Sequence, residues 1–119
     1  MSLLSLLFSQ PWVFAAFIVV FAIALSVHEC AHALVAFWLG DSTAERQGRL
    51  TLDPRAHIDP LGFISLLLLG FGWGKPVPVN PMYMSHPKRD AALVSMAGPA
   101  SNILMAIVIA FPYKYAVTH

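Results

Sequence analysis

The five residues His28-Glu29-Cys30-Ala31-His32 carry the clearest chemical signal in this sequence. On an α-helix, side chains four residues apart lie on one face about one turn apart, so both imidazoles can reach a single metal ion. Glu29 projects roughly 100° around the helix from His28. From there its carboxylate can contact a metal-bound water without binding the metal, and so act as a general base. The motif therefore predicts a hydrolytic zinc site with His28 and His32 as ligands and Glu29 as the catalytic base.

The composition of the chain predicts a membrane protein. Of its 119 residues, 58% are hydrophobic and 11% are charged, whereas a typical soluble domain has about 25% charged residues. The net charge is only +1, and no basic cluster with interleaved aromatic residues is present, so nucleic acid is not expected as a partner. The expected partner is the lipid bilayer.

A structural explanation of the motif competes with the metal site. Two core histidines and one acid could simply be hydrogen-bonded between helices. We favour the metal site, because ionisable side chains at bilayer depth are costly and are usually retained for function. Cys30 is the only cysteine and points to the opposite side of the helix. It is therefore predicted to be a small packing residue rather than a ligand.

The motif lies within the first of two predicted transmembrane helices. Residues 12–39 are apolar, and as a helix they would reach about 40 Å, enough to span the hydrocarbon core of about 30 Å. Gly40 and the polar residues after it are typical of a helix C-terminus. Residues 91–111 form a second apolar run of about 31 Å. Pro99 is expected to kink this second helix.

Three shorter segments between the two spans have different predicted structures. Residues 61–73 are apolar but reach only about 20 Å as a helix, so we expect a re-entrant or interfacial segment. Alternating side chains in residues 48–52 predict a short strand. The prolines of residues 74–81 predict an extended connector. The predicted fold is an all-α polytopic membrane protein with two transmembrane helices, a short re-entrant segment and a small membrane-associated β element.

Basic side chains orient the predicted spans. They flank the short apolar segment on both sides, with Arg46, Arg49 and Arg55 before it and Lys75, Lys88 and Arg89 after it. Residues 1–27 contain no basic side chain. The positive-inside rule therefore places both loops in the cytoplasm and the N-terminus outside. The metal motif is then expected in the cytoplasmic half of the first span of a multi-pass protein.

Asn102 is an amide in the middle of the second predicted span, where it must find a hydrogen-bond partner. One interpretation is an interhelical hydrogen bond that fixes packing, worth roughly 0.6 to 2 kcal/mol. The other is a donor that lines the active-site cavity and stabilises the oxyanion of the tetrahedral intermediate. We place the packing role first, and both interpretations stay open.

Four blocks of sequence occur in a fixed order and together cover most of residues 20–105. They are His28-Glu29-Cys30-Ala31-His32, then Gly48-Arg49-Leu50-Thr51-Leu52-Asp53-Pro54 running into His57-Ile58-Asp59-Pro60-Leu61-Gly62, then Lys75-Pro76-Val77-Pro78-Val79-Asn80-Pro81, and then Ala97-Gly98-Pro99-Ala100-Ser101-Asn102. In these blocks the chain resembles the site-2 protease family of intramembrane zinc metalloproteases, in its small prokaryotic branch. The resemblance implies a zinc endopeptidase that cleaves transmembrane segments of membrane proteins within a prokaryotic cell membrane.

The resemblance also implies roles for individual residues. His28 and His32 match the two histidine ligands of the family, and Glu29 matches its catalytic glutamate. The third ligand in the family is an aspartate in a later Asp-Gly motif, and this sequence contains no such motif. We therefore expect residues 1–119 to be the N-terminal part of a longer, single membrane-embedded metalloprotease core.

His57 and Asp59 are candidate substitutes for the missing third ligand, because their loop could fold toward the membrane. However, Asp59 followed by Pro60 also predicts a turn or cap at the start of the short apolar segment. Spacing alone seldom identifies a third ligand, so we favour the turn.

The predicted mechanism requires that water and an unwound substrate both reach the motif, because the carbonyls of an intact helix are already hydrogen-bonded. Residues 49–53 could hold an unwound segment by strand addition, although a structural hairpin is the default interpretation. Two other functions stay open. One is an inactive, shortened relative that binds membrane proteins without cutting them. The other is an ion or proton pathway subunit that uses His28, Glu29 and His32.

Overall fold

The computed structural model describes residues 2–118, and that part of the chain is mostly helical. It contains the α-helices α1 (Leu3–Ser9), α2 (Pro11–Trp38), α3 (Thr43–Arg46), α4 (Pro60–Leu69) and α5 (Pro87–Thr118), with short 3-10 turns at Pro54–Ala56 and Pro81–Tyr83. The two long helices α2 and α5 pack against each other, and α1 packs against both α2 and α4. The short helix α1 was not anticipated from the sequence.

The C-terminus of α2 is fixed by a glycine, as the sequence predicts. Gly40 adopts a φ of +108°, a left-handed conformation that L side chains rarely tolerate. The N–H of Gly40 donates to the carbonyl of Phe37 at 3.2 Å, and the N–H of Asp41 donates to that of Ala36 at 2.9 Å. This pair of hydrogen bonds is the Schellman motif, which satisfies the last carbonyls of the helix.

Both α2 and α5 are long and apolar enough to cross a membrane. Their apolar side chains point mostly outward, and Trp12 and Phe111 are 88% and 76% exposed. A large exposed apolar surface is typical of contact with lipid rather than of a soluble core helix. The predicted pair of helices of membrane-spanning length is therefore confirmed.

The helix α5 begins earlier and ends later than the predicted range of 91–111. Its first turn is capped by Asp90, whose carboxylate accepts a hydrogen bond from the N–H of His86 at 3.2 Å. Residues 87–90, most of which are charged, are therefore helical. Hydropathy alone had left them outside the predicted span of residues 91–111. The helix also continues past Pro99, whose missing N–H leaves only one carbonyl of the preceding turn without its helical donor.

The short apolar segment folds back on itself. Gly70 ends α4 with a φ of +87°, and the chain then returns alongside the helix. The hydroxyl of Ser65 donates to the carbonyl of Phe71 at 2.8 Å. An antiparallel bridge between Ile58 and Gly74 joins the two ends of this hairpin. A re-entrant segment requires such a reversal, and its position relative to a membrane stays a prediction.

Residues 48–52 do not form the predicted strand. The carbonyl of Thr51 is instead bonded to the ring of His57, with 2.8 Å between oxygen and Nε2. Within residues 2–118, β pairing is limited to the isolated bridge between Ile58 and Gly74. The alternation of five side chains was misleading, because local turns and a side-chain partner satisfy this backbone without a ladder. The predicted β element is thus not confirmed.

The extended connector of residues 74–80 is held in place by the loop that follows α2. The guanidinium of Arg49 donates to the carbonyls of Pro76 and Lys75 at 3.1 and 2.8 Å. At the far end, the N–H of Asn80 donates to the buried carboxylate of Asp41. The connector therefore has a fixed path between α4 and α5, although it has no regular secondary structure.

Candidate metal and catalytic site

The two histidines of the motif face each other on α2. Their Nε2 atoms are 3.1 Å apart, and their rings are nearly perpendicular, with an interplanar angle of 81°. Two nitrogen ligands each about 2.05 Å from a tetrahedral zinc ion would be roughly 3.3 Å apart. The spacing of His28 and His32 is therefore close to that required for shared coordination of one ion.

One face of α5 forms a cradle around this pair, through residues spaced four apart. The carbonyl of Val94 accepts a hydrogen bond from Nδ1 of His32 at 2.6 Å. The side-chain nitrogen of Asn102 lies 3.2 Å from Nδ1 of His28. Gly98 lies between them, and a Cβ atom on it would be 2.5 Å from Nε2 of His32. Contacts from α5 thus hold each ring at its Nδ1 atom, and the two Nε2 atoms face each other.

The contact of Asn102 with His28 is an interhelical hydrogen bond, which is what the packing interpretation of this amide expects. Asn102 is not among the residues that line the cavity beside the motif. The oxygen of the amide is buried and finds no hydrogen-bond partner within the described chain.

A cavity of about 540 Å³ opens beside the motif. Glu29 and His32 contribute one wall, and α5 contributes a second through Ala91, Val94 and Ser95. The rest of the wall comes largely from the connector and its flanks, namely Trp73, Gly74, Pro76, Val77, Val79 and Pro81. The carboxylate of Glu29 makes no hydrogen bond or ion pair with residues 2–118, so it is available to water in this cavity.

The structure gives His57 and Asp59 other hydrogen-bond partners, and neither forms a metal-binding group with the histidine pair. His57 is fully buried, and its backbone carbonyl accepts from the N–H of Lys75 at 2.7 Å. The carboxylate of Asp59 accepts a hydrogen bond from the indole of Trp73. Across the described residues, no group of three His, Cys, Asp or Glu side chains is placed to hold a metal.

The two imidazole nitrogens of His28 and His32 are suitable zinc ligands. Histidine ligands of metals usually donate their second ring N–H to a carbonyl or carboxylate, and His32 has such a partner in Val94. A catalytic zinc normally has three protein ligands. The described residues bring two such ligands together.

Two features of the site were not found from the sequence. The partner of His32 is a backbone carbonyl, and no side-chain pattern reports a backbone atom. The contribution of the connector to the cavity depends on tertiary contacts with Arg49 and Asp41. One signal was available, because the spacing of Val94, Gly98 and Asn102 repeats the four-residue spacing of the histidines.

Asp41 secures the connector through an unusually well-satisfied carboxylate. Burial acts to raise its pKa, but hydrogen bonds from the hydroxyl and N–H of Thr43 and from the N–H of Asn80 outweigh that effect. The pKa of Asp41 therefore lies below its usual value, and the side chain is ionised at neutral pH.

The HExxH spacing is typical of zinc metalloproteases, and here the motif lies on an apolar helix of membrane-spanning length. No family model matches the chain, and no solved structure matches it. Among curated proteins, it is 46% identical over 91 residues to YwhC of Bacillus subtilis, which is named as a candidate zinc metalloprotease. That alignment covers 76% of this chain and 42% of YwhC.

Two mycobacterial relatives carry the same description under the name Rip2. The protein from Mycobacterium tuberculosis is 36% identical over 110 residues, which is 84% of this chain and 42% of the relative. The protein from Mycolicibacterium smegmatis is 33% identical over 106 residues, which is 85% of this chain and 40% of the relative. The chain is therefore similar to named candidate zinc metalloproteases over most of its length, in line with its resemblance to the site-2 protease family, and zinc is the implied metal. It spans about two fifths of the length of these curated relatives.

Proposed function

We propose that this chain is the histidine-bearing part of an intramembrane zinc metalloendopeptidase that cleaves transmembrane segments of membrane proteins. One observation carries the proposal. The Nε2 atoms of His28 and His32 face each other at 3.1 Å, and His32 shares a cavity with Glu29. This arrangement combines a metal-binding pair with a carboxylate that accepts no hydrogen bond in the described chain.

The residues have distinct roles in this proposal. His28 and His32 hold the metal, which when bound acts as a Lewis acid toward a scissile carbonyl and increases the acidity of water. Glu29 takes a proton from water in the cavity and later delivers it to the leaving amine. The third metal ligand comes from outside the described residues, and the family resemblance implies an aspartate of an Asp-Gly motif.

The substrate must enter as an extended segment, and the connector offers a surface for it. Val77 and Val79 line the same cavity as Glu29, and their N–H groups donate no hydrogen bond within residues 2–118. Pro76 and Pro78 have no N–H to offer. An unwound peptide could therefore add along the two valines. This surface takes the place of residues 49–53, which were considered for strand addition but form no strand.

The bilayer is the proposed environment of the whole site. The exposed apolar surfaces of α2 and α5 suit contact with lipid. The basic loops support an orientation with the motif toward the cytoplasmic side. A cavity of about 540 Å³ would then admit water to membrane depth. Water at that depth is required for hydrolysis.

The proposal is tested with a longer natural chain that contains these residues, purified in detergent with a model transmembrane substrate. Glu29→Gln should abolish cleavage and leave zinc bound, because glutamine keeps the shape and loses the base. Glu45→Gln, on the short helix α3, is the matched control and should cleave normally. Cleavage by Glu29→Gln at the wild-type rate would exclude the assigned base. Bound zinc with no cleavage by the wild type would favour a relative that binds without cutting.

A further inference from the structure

We propose that Asn102 is a positioning residue for His28, and that its amide oxygen accepts the Nδ1–H of the ring. This hydrogen bond would leave the lone pair of Nε2 facing His32 and available to a metal. The inference rests on the zinc site proposed above and adds a residue that sets the tautomer of one ligand.

The surroundings of His32 show what such positioning requires. A backbone carbonyl can only accept, so the contact of 2.6 Å with Val94 requires the hydrogen of His32 to be on Nδ1. Nε2 of His32 then carries the lone pair and faces His28. This is the tautomer in which a neutral histidine binds a metal through Nε2.

His28 has a partner that permits either tautomer. An amide can donate from its nitrogen or accept at its oxygen. With the nitrogen of Asn102 3.2 Å from Nδ1, the hydrogen of His28 would be on Nε2 and would block coordination there. A half-turn of the amide exchanges two groups of nearly the same shape. It would bring the oxygen, which is buried without a partner in residues 2–118, to Nδ1.

The position of Asn102 argues against the oxyanion role that the sequence left open. The amide contacts Nδ1 of His28, whereas Nε2 of the same ring faces His32. These nitrogens lie on different sides of the imidazole, so the amide is behind the ligand rather than over the metal face. Asn102 also does not line the cavity that contains Glu29.

The test compares Asn102→Leu, which removes the acceptor, with Asn102→Asp, which keeps one. Ser101→Ala is the matched control, because Ser101 donates to the Gly98 carbonyl and does not touch the histidines. Zinc affinity is measured on the longer natural chain that contains these residues, by competition with a chelating indicator in detergent. Asn102→Leu should bind zinc roughly 10- to 100-fold more weakly, as is typical when a partner of a metal ligand is lost. Asn102→Asp and Ser101→Ala should stay close to wild type.

The tautomer of His28 is a second measurement that needs no metal. Nitrogen chemical shifts of ¹⁵N-labelled histidine, assigned with His28→Gln, should show hydrogen mainly on Nδ1 in the wild type and in Asn102→Asp. Asn102→Leu should show a mixture. Wild-type zinc affinity together with an unchanged tautomer in Asn102→Leu would overturn the proposal. Absence of zinc binding in the wild type would instead contradict the metal site, and the tautomer measurement would still decide the role of Asn102.

Discussion

Gly98 touches the metal-binding edge of His32 so closely that a Cβ atom on it would lie 2.5 Å from Nε2. The same atom would lie 2.6 Å from Nε2 of His28. Real Cβ atoms essentially never approach other heavy atoms this closely. The backbone of α5 therefore approaches both ligand nitrogens at a place where only glycine leaves them accessible.

Gly98→Ala should therefore impair the metal site. The added methyl group must displace one or both rings or push α5 away from α2, because the neighbouring atoms are ligand nitrogens and carbons. We expect zinc affinity to fall by about tenfold or more, the range seen when ligand orientation is lost. The metal content of the longer natural chain after dialysis against a weak chelator measures this. Ala100→Ser adds one heavy atom at an exposed position on the same helix, and it should retain wild-type zinc. Equal zinc content in Gly98→Ala and Ala100→Ser would show that the close approach of Gly98 is not required for metal binding.

The sequence predicted the features that depend on local chemistry. The first long helix was placed to within one residue at each end, because Pro11 and Gly40 begin and end it by backbone constraints. Residues 48–52 were misassigned, because a five-residue alternation is a weak signal and His57 competes for the backbone of Thr51. The helix α1 was missed since its residues continue the apolar run of α2.

The site shows the same division between local and tertiary information. The motif itself was visible, because helical spacing alone places His28 and His32 on one face. The carbonyl of Val94 and the cavity wall formed by the connector depend on how α5 and the loop after α2 pack. Such contacts are set by the tertiary fold, so no residue type in the sequence reports them.

Acidification should destabilise the protein through Asp41. Its folded-state pKa lies below the unfolded value of about 3.9. Its contribution is therefore complete above about pH 4 and is lost as the pH falls through the folded-state pKa. Asp41→Asn should lower the free energy of unfolding at pH 6 by roughly 1 to 3 kcal/mol. The substitution replaces one carboxylate oxygen, which accepts hydrogen bonds, by an NH₂ group that cannot accept them from Thr43 or Asn80.

Thermal unfolding in detergent between pH 6 and pH 3 measures this effect. The difference between wild type and Asp41→Asn should shrink as the pH falls below 4. Asp53→Asn is the control, because its ion pair with Arg55 is largely exposed and such pairs contribute little. A difference between wild type and Asp41→Asn that stays constant down to pH 3 would contradict the assigned role of the carboxylate.

Arg49 should control the order of the connector. Its guanidinium binds the carbonyls of Lys75 and Pro76, so Arg49→Ala releases two charge-assisted hydrogen bonds. Hydrogen exchange of the Lys75 amide, which donates to His57, should accelerate about tenfold, or roughly 1.4 kcal/mol of local opening. Zinc affinity should not change, because the histidines are held by α5. Arg46→Ala, on α3, is the control and should leave the exchange rate of the Lys75 amide as in wild type. An unchanged exchange rate in Arg49→Ala would show that Arg49 does not hold the connector in place.

The membrane topology can be read with reporters. Because basic residues lie on both sides of the hairpin formed by α4, reporters at residues 45 and 85 should both be cytoplasmic. A reporter fused after His119 should be external. Cysteine labelling with a membrane-impermeant reagent in intact cells measures each position. Opposite sides for residues 45 and 85 would mean that α4 crosses the membrane rather than returning.

Zinc binding by residues 1–119 should be weak, because only His28 and His32 are brought together in the part of the chain that the structure describes. A catalytic site needs three protein ligands to fix the metal and leave a position for water. A chain extended through a later Asp-Gly helix should bind zinc stoichiometrically and cleave a model transmembrane substrate. Metal analysis of both purified forms, with alanine replacing the aspartate of the longer form as the control, decides this. Stoichiometric zinc and cleavage by residues 1–119 would mean that a residue such as His57 or Asp59 moves to complete the site, and the requirement for a distant ligand would be wrong.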